Sequence, residues 1–236
     1  MKNKIMCLCF LLFYCFSNLH AQNIIAKKQN TIKIEKSDVI NLGYKNNEFY
    51  IQDSNTAFLY SKNGKLVKKI TLDNNNQSKF YDSEMKYCIS KDGKITETTG
   101  KSELVNISDK LKKESKIARY LAKADKYFLS CLVDSVSLSY SNGIFKISDN
   151  EFSLLTYLVG IPAGLFVEGN NLWYMYHKSV PNLNGMLRKY DLTTGELLLE
   201  LEIPVIEPVG LYLDSESCYV YSNYSKELVT LNIGGQ

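Results

Sequence analysis

Apolar and polar positions recur along this chain in one repeating order. Residues 48 to 70, EFYIQDSNTAFLYSKNGKLVKKI, read as an apolar strand, a short polar turn, a second strand ending in Tyr60, a turn at Gly64 and a third strand. Residues 172 to 203 repeat it, with strands at Leu172 to Tyr176, up to Tyr190-Asp191, and from Glu196 to Ile203 after a turn at Gly195. Residues 127 to 147 carry it again, read with a second strand ending at Tyr140 and a turn at Asn142-Gly143. A weaker copy surrounds Tyr87-Cys88-Ile89 and Asp92-Gly93, and a truncated one runs from Gly210 to the C-terminus. Short apolar runs punctuated by Gly, Asn and Asp predict strands and turns.

The period decides the architecture. Gly64, Gly93, Gly143, Gly195 and Gly234 average 42.5 residues apart, and Gly164-Leu165 and Gly210-Leu211 stand 46 apart. A four-stranded propeller blade takes about 40 to 45 residues. The pattern predicts an all-β fold, a β-propeller of five blades over residues 22–236. After Pro208 only three strands are readable, so the last blade lacks an outer one. Residues 23 to 36, NIIAKKQNTIKIEK, alternate at Thr31-Ile32-Lys33-Ile34 as a half-exposed strand does. They are predicted to pair with the C-terminal strand, which closes the ring and covers an edge that invites aggregation.

Residues 161 to 234 bring Pro162-Ala163-Gly164-Leu165, Leu172-Trp173-Tyr174, the YDLTTGE run from Tyr190, Pro208-Val209-Gly210-Leu211 and Tyr219-Val220-Tyr221 into register. In this it resembles the NHL, SMP-30 and YVTN-like secreted β-propellers, whose blades read as an apolar strand, an LYV-type strand, a YD..TG turn and a return strand. The resemblance implies the fold. Propellers of this kind range from scaffolds to lactonases, so activity does not follow from it.

Residues 1–21, MKNKIMCLCFLLFYCFSNLHA, have a basic start, an apolar stretch from Ile5 to Phe16 and a polar end at Ala21, the layout of a secretory signal peptide. Its twelve apolar residues fall short of the roughly 20 a spanning helix needs. Phe13 and Tyr14 before Cys15 disfavour lipid attachment, which wants small residues there. Export to the periplasm, cell envelope or medium is expected. Lys2 and Lys4 supply two of the net +3, so the mature chain sits near +1 and no general nucleic-acid surface is expected. Three cysteines leave with the leader; Cys88, Cys131 and Cys218 each sit in an apolar run and are expected to be buried, inert thiols.

Residues 108 to 126, SDKLKKESKIARYLAKADK, interrupt the strands and carry +4. Ser108 to Lys116 is predicted as a helical turn or loop between blades and the remainder as the innermost strand of the third blade. The basic run is read first as a solvated surface and second as a contact for anionic lipid or polysaccharide.

With strands a to d counted from the centre outward, the b–c loops and the links between blades share one rim. The b strands end at Asp53, Asp134, His177 and Asn223, polar residues after apolar runs. The longest b–c connection, KSVPNLNG from Lys178, follows Trp173, Tyr174, Tyr176 and His177. Aromatic area beside amides suits a sugar or peptide, so Trp173, Tyr176, His177, Lys178, Asn182, Asp53, Asp134 and Asn223 are the candidate ligand-binding residues. The competing expectation is that Trp173 and the tyrosines pack between blades. The mature chain has one histidine, His177, which excludes multi-histidine metal sites, and it lacks a G-x-S-x-G elbow. The reading is a non-catalytic, exported binding or scaffold propeller without a cofactor, monomeric, with a protein, peptide or glycan partner in the cell envelope. The alternative is a metal-assisted hydrolase or lactonase with calcium on Asp53, Asp134 and Asn223.

Overall fold

The strands form where β-branched and aromatic residues alternate, and each terminates where Asn, Asp or Gly takes the backbone into a turn. A computed structural model describes residues 24–34, 36, 38–54, 56–72, 79–99, 102–135, 142–177, 184–215 and 217–233. The chain opens with β1 (Ile24–Ile25) and β2 (Lys27–Lys33). Blade one is β3 (Asn41–Lys45), β4 (Glu48–Gln52), β5 (Thr56–Ser61) and β6 (Leu66–Thr71); blade two is β7 (Lys79–Tyr81), β8 (Tyr87–Ser90), β9 (Lys94–Glu97) and β10 (Glu103–Asn106). A short helix, α1 (Ser108–Lys113), leads to blade three: β11 (Lys116–Lys123), β12 (Phe128–Asp134), β13 (Gly143–Ser148) and β14 (Glu151–Tyr157). Blade four is β15 (Ile161–Glu168), β16 (Asn171–His177), β17 (Asn184–Asp191) and β18 (Leu197–Ile206). Blade five is β19 (Pro208–Asp214), β20 (Ser217–Ser222), β21 (Glu227–Asn232) and, on its outside, β2.

The innermost strands β3, β7, β11, β15 and β19 touch in cyclic order, β19 returning to β3, so the five antiparallel sheets form a ring. This is the five-bladed propeller that the repeat predicts. Burial falls outward: β5 is buried over Ala57 to Tyr60, whereas β6 is exposed over most of its length. The apolar faces meet between blades, as in the cluster joining Trp173 and Met175 of blade four to Leu211, Leu213 and Val220 of blade five. Among the described residues no helix is long and apolar enough to cross a membrane.

Closure occurs as the alternation of Thr31 to Ile34 predicts, with an addition. Lys27 to Lys33 pair antiparallel with β21, from Lys27 opposite Asn232 to Lys33 opposite Glu227. Ile24 and Ile25 instead pair in parallel with Leu201 and Glu202 on the outer strand of blade four. The leading segment therefore fastens two blades, with Ala26 buried between the two pairings. At the inner seam Gly210 has φ +68°, and a Cβ there would lie 2.3 Å from the backbone nitrogen of Leu42. Only glycine lets blades five and one approach so closely.

The repeat register needs one correction. Gly64 and Gly195 turn the chain between c and d strands, but Gly93 lies between b and c, and Gly143 opens β13 opposite Leu132. The c–d turn of blade three is Asp149-Asn150, with φ of 50° and 58°, a conformation that short polar side chains tolerate. Gly234 lies outside the described residues. Blade starts are nonetheless 37 to 47 residues apart, close to the predicted period. The basic stretch divides as predicted, into α1 and β11. Cys88, Cys131 and Cys218 are buried and unpaired, and burial pushes all three thiols up, away from reactivity.

Candidate functional site

The four polar residues read as b-strand ends do share the b–c rim, and the side chains of two of them, Asn223 and Asp53, hold loops there. Asn223 brackets the backbone of Val39: its Oδ1 accepts the Val39 N–H at 3.1 Å and its Nδ2 donates to the Val39 carbonyl at 2.9 Å. That ties blade five to the entry of blade one. Asp53 accepts the Thr56 N–H at 2.7 Å and closes the turn between β4 and β5. The Asp134 N–H donates to Asn142 Oδ1 at 2.7 Å. His177 lies between Ile161 and Gly185 in the sheet, and its Nδ1 is buried without a partner among the described residues. Lys178 and Asn182 lie outside the described residues.

Trp173 and Tyr176 do not reach that rim as open rings. They are 5% and 3% exposed and stand on opposite faces of β16, because side chains three apart on a strand point to opposite sides. Trp173 packs toward blade five, under the Lys189 ammonium at 5.2 Å. Tyr176 stacks on Tyr174 at 5.5 Å and donates its hydroxyl to Glu200 at 3.2 Å. This is the packing between blades that the sequence left open as the competing expectation. In the donor set expected for calcium, the Asn223 amide already has its partners on Val39, and among the described residues no three His, Cys, Asp or Glu side chains are grouped to hold a metal.

The opposite end of the channel is built differently. There the inner strands run into tight a–b turns, and a cavity of about 500 Å³ opens, lined from all five blades. Tyr44, Tyr87, Phe166 and Tyr212 form its half-buried aromatic wall. Tyr212 joins three blades, with its ring 4.8 Å from that of Tyr44 and 5.5 Å from that of Phe166. Contact between the turns pulls blades one and two together: the Tyr44 N–H donates to the Ser83 carbonyl at 2.7 Å. Ala122, Lys123, Ala124 and Asp125 of blade three complete the lining.

Asp82 sits in this wall and is 4% exposed. Its Oδ1 accepts the N–H groups of Lys86 and Tyr87 at 2.7 and 2.8 Å, which fixes the carboxylate at the start of the turn. Burial pushes its pKa up to about 6; the two N–H groups and Lys45 oppose the rise and Glu84 adds to it. A second concavity of about 490 Å³ lies under α1 on the b–c rim, between Lys91, Asp92, Leu111, Lys112 and Lys116. It is where the basic stretch faces a groove, and it draws on blades two and three only.

Sequence reasoning did not find Tyr44, Asp82, Tyr87, Phe166 or Tyr212. One signal was present: in Gly164-Leu165-Phe166 and Gly210-Leu211-Tyr212 an aromatic follows each of the two registered Gly-Leu pairs.

Comparison with known proteins supports the fold. No protein-family model matches the chain, and no curated protein does. Among solved structures it is similar to a calcium-binding protein, regucalcin from Agrobacterium tumefaciens, with a TM-score of 0.55 at 8% identity, covering 89% of this chain and 95% of that one. Two computationally designed proteins also match, at TM-scores of 0.36 and 0.37 with 13% and 14% identity, over 86% and 83% of this chain and 98% and 71% of theirs. The regucalcin likeness bears out the resemblance to SMP-30-type propellers at the level of fold, and of fold alone.

Proposed function

We propose that this chain is an exported, non-catalytic binding propeller that holds a protein, peptide or glycan partner of the cell envelope at the a–b mouth of its channel. One observation carries the reading: a single cavity receives side chains from every blade and is walled by four half-buried aromatic rings. Such rings give contact area at low entropic cost, and a rigid ring of sheets holds them in place before binding. Export rests on the N-terminal leader pattern.

The test is capture of envelope material by the mature chain and by two variants. Tyr44→Ser with Tyr212→Ser should abolish capture, and His177→Ala with Lys178→Ala and Asn182→Ala should preserve it. The reverse result moves recognition to the b–c rim, and capture that survives both sets of changes removes the reading. A tightly held ion that is lost on Asp53→Ala or Asp134→Ala would put metal-assisted hydrolysis in its place.

A further inference from the structure

Asp82 is an unusual wall residue. A buried carboxylate normally has a cation or a full set of hydrogen bonds, because its desolvation is otherwise uncompensated. Here Oδ1 takes both backbone N–H groups, and no hydrogen bond to Oδ2 and no ion pair to Asp82 occurs among the described residues. Oδ2 is also not among the fully enclosed polar atoms that lack a partner, and Asp82 is one of the residues that line the cavity. The lysines that line the same cavity are turned to other partners. Lys123 donates to the carbonyls of Ala124 and Asp125, and the Lys86 ammonium lies over the Tyr87 ring at 5.4 Å. The rings of Tyr44, Tyr212 and Phe166 line the same cavity, and such rings accept a flexible alkyl stem along their faces and attract a cation through their π-electrons.

Resting on the reading of the mouth as the binding site, we propose that the cavity takes a primary ammonium group on a flexible alkyl stem, the lysine side chain of a partner polypeptide, with Asp82 as its anionic anchor. The ammonium supplies the missing hydrogen-bond donors to Oδ2 and the missing countercharge, and the aromatic wall covers the methylene stem. The other charged and titratable groups that line the cavity or act on Asp82 are Glu84 and Lys86 in its own turn, Lys45 from β3, Cys88 from β8, Lys123 at the end of β11 and Asp125 in the turn after it, with Tyr44, Tyr87 and Tyr212 in the wall. With Asp82, the carboxylates lining the cavity number three against two lysines, which leaves the mouth net acidic. Asp82 must be ionised to pair with the ammonium. Affinity therefore rises from pH 5 to pH 7, by about tenfold for a carboxyl that titrates near 6.

The experiment titrates the mature chain with Nα-acetyl-lysine methylamide, followed by calorimetry and by amide chemical shifts. Binding that perturbs residues 82 to 87 is expected, weakened at least tenfold when the lysine Nε is acetylated and again in Asp82→Asn. The acetylated probe needs no variant, so the result stands even if Asp82→Asn misfolds. Equal binding of the acetylated probe, affinity that does not change with pH, or shifts confined to the b–c rim would overturn the proposal. So would a response to glucosamine with none to capped lysine. Envelope capture that depends on Tyr44 and Tyr212 but is untouched by Asp82→Asn would sink the ammonium assignment and leave the binding reading in place.

Discussion

The two rims of the ring come from the same strands and both hold turns with polar side chains, and the a–b rim also gathers aromatic rings at a cavity that all five blades line. On the b–c rim the chain must cross from the outside of one blade to the centre of the next, and polar side chains are used to hold those crossings, as Asn223 holds Val39. On the a–b rim each connection folds straight back. Asn46 and Asn47, with φ of 53° and 65°, make the β3–β4 turn from backbone geometry. Aromatic side chains and Asp82 line the cavity at this end. The strand-end residues of the b–c rim hold loops, as Asn223 and Asp53 do, whereas the cavity that all five blades line opens at the other rim.

The largest effect should come from removing the condition on which both rims depend. Deleting residues 24–34 strips β21 of its outer partner and β18 of its parallel addition. Lost hydrogen bonds and burial should lower stability by roughly 5 kcal/mol or more, read as the denaturant midpoint of the mature chain. Next is the inner seam. Gly210→Ala drives a Cβ into the backbone of Leu42 and should cost roughly 2 to 4 kcal/mol. Gly169→Ala, in an a–b turn with φ +57° and open space around it, should cost about 1 kcal/mol. Equal losses would show that the seam between blades five and one is looser than described.

A third prediction separates the rims by pH. Because burial raises the Asp82 pKa from 3.8 to about 6, the folded state binds a proton that the unfolded state has released. Its contribution is complete below pH 4 and is lost as pH rises through 6. Asp82→Asn should therefore match the parent near pH 4 and exceed it by roughly 2 to 3 kcal/mol at pH 7, measured by denaturant unfolding at both pH values. The smallest effect belongs to the b–c rim: Asn223→Ala removes the bracket on Val39 and should cost about 1 to 2 kcal/mol, with envelope capture unaltered.

The closure was legible because it rests on local alternation plus a missing strand: Thr31 to Ile34 read as a half-exposed strand, and the last blade had room for it. Blade three was misaligned at Gly143 because a glycine before an apolar run looks like a turn. In fact it is packed under Leu154, and Asp149-Asn150 makes the turn. The site was not legible for two reasons. Trp173 and Tyr176 are neighbours in sequence but face different blades, and Asp82 is buried beside a meeting of turns far apart in sequence, where Tyr44 contacts Ser83. Neither fact is present in a single strand's pattern.

Hydrogen exchange on the mature chain, with and without its captured envelope partner, tests the choice of rim most directly. The account predicts slowed exchange at residues 82–87 and 124–127, on the turns around the cavity, and unchanged exchange near Asp134 and His177. Slowing confined to Asp134, His177 and the b–c connections, with the a–b turns unaffected, would contradict it.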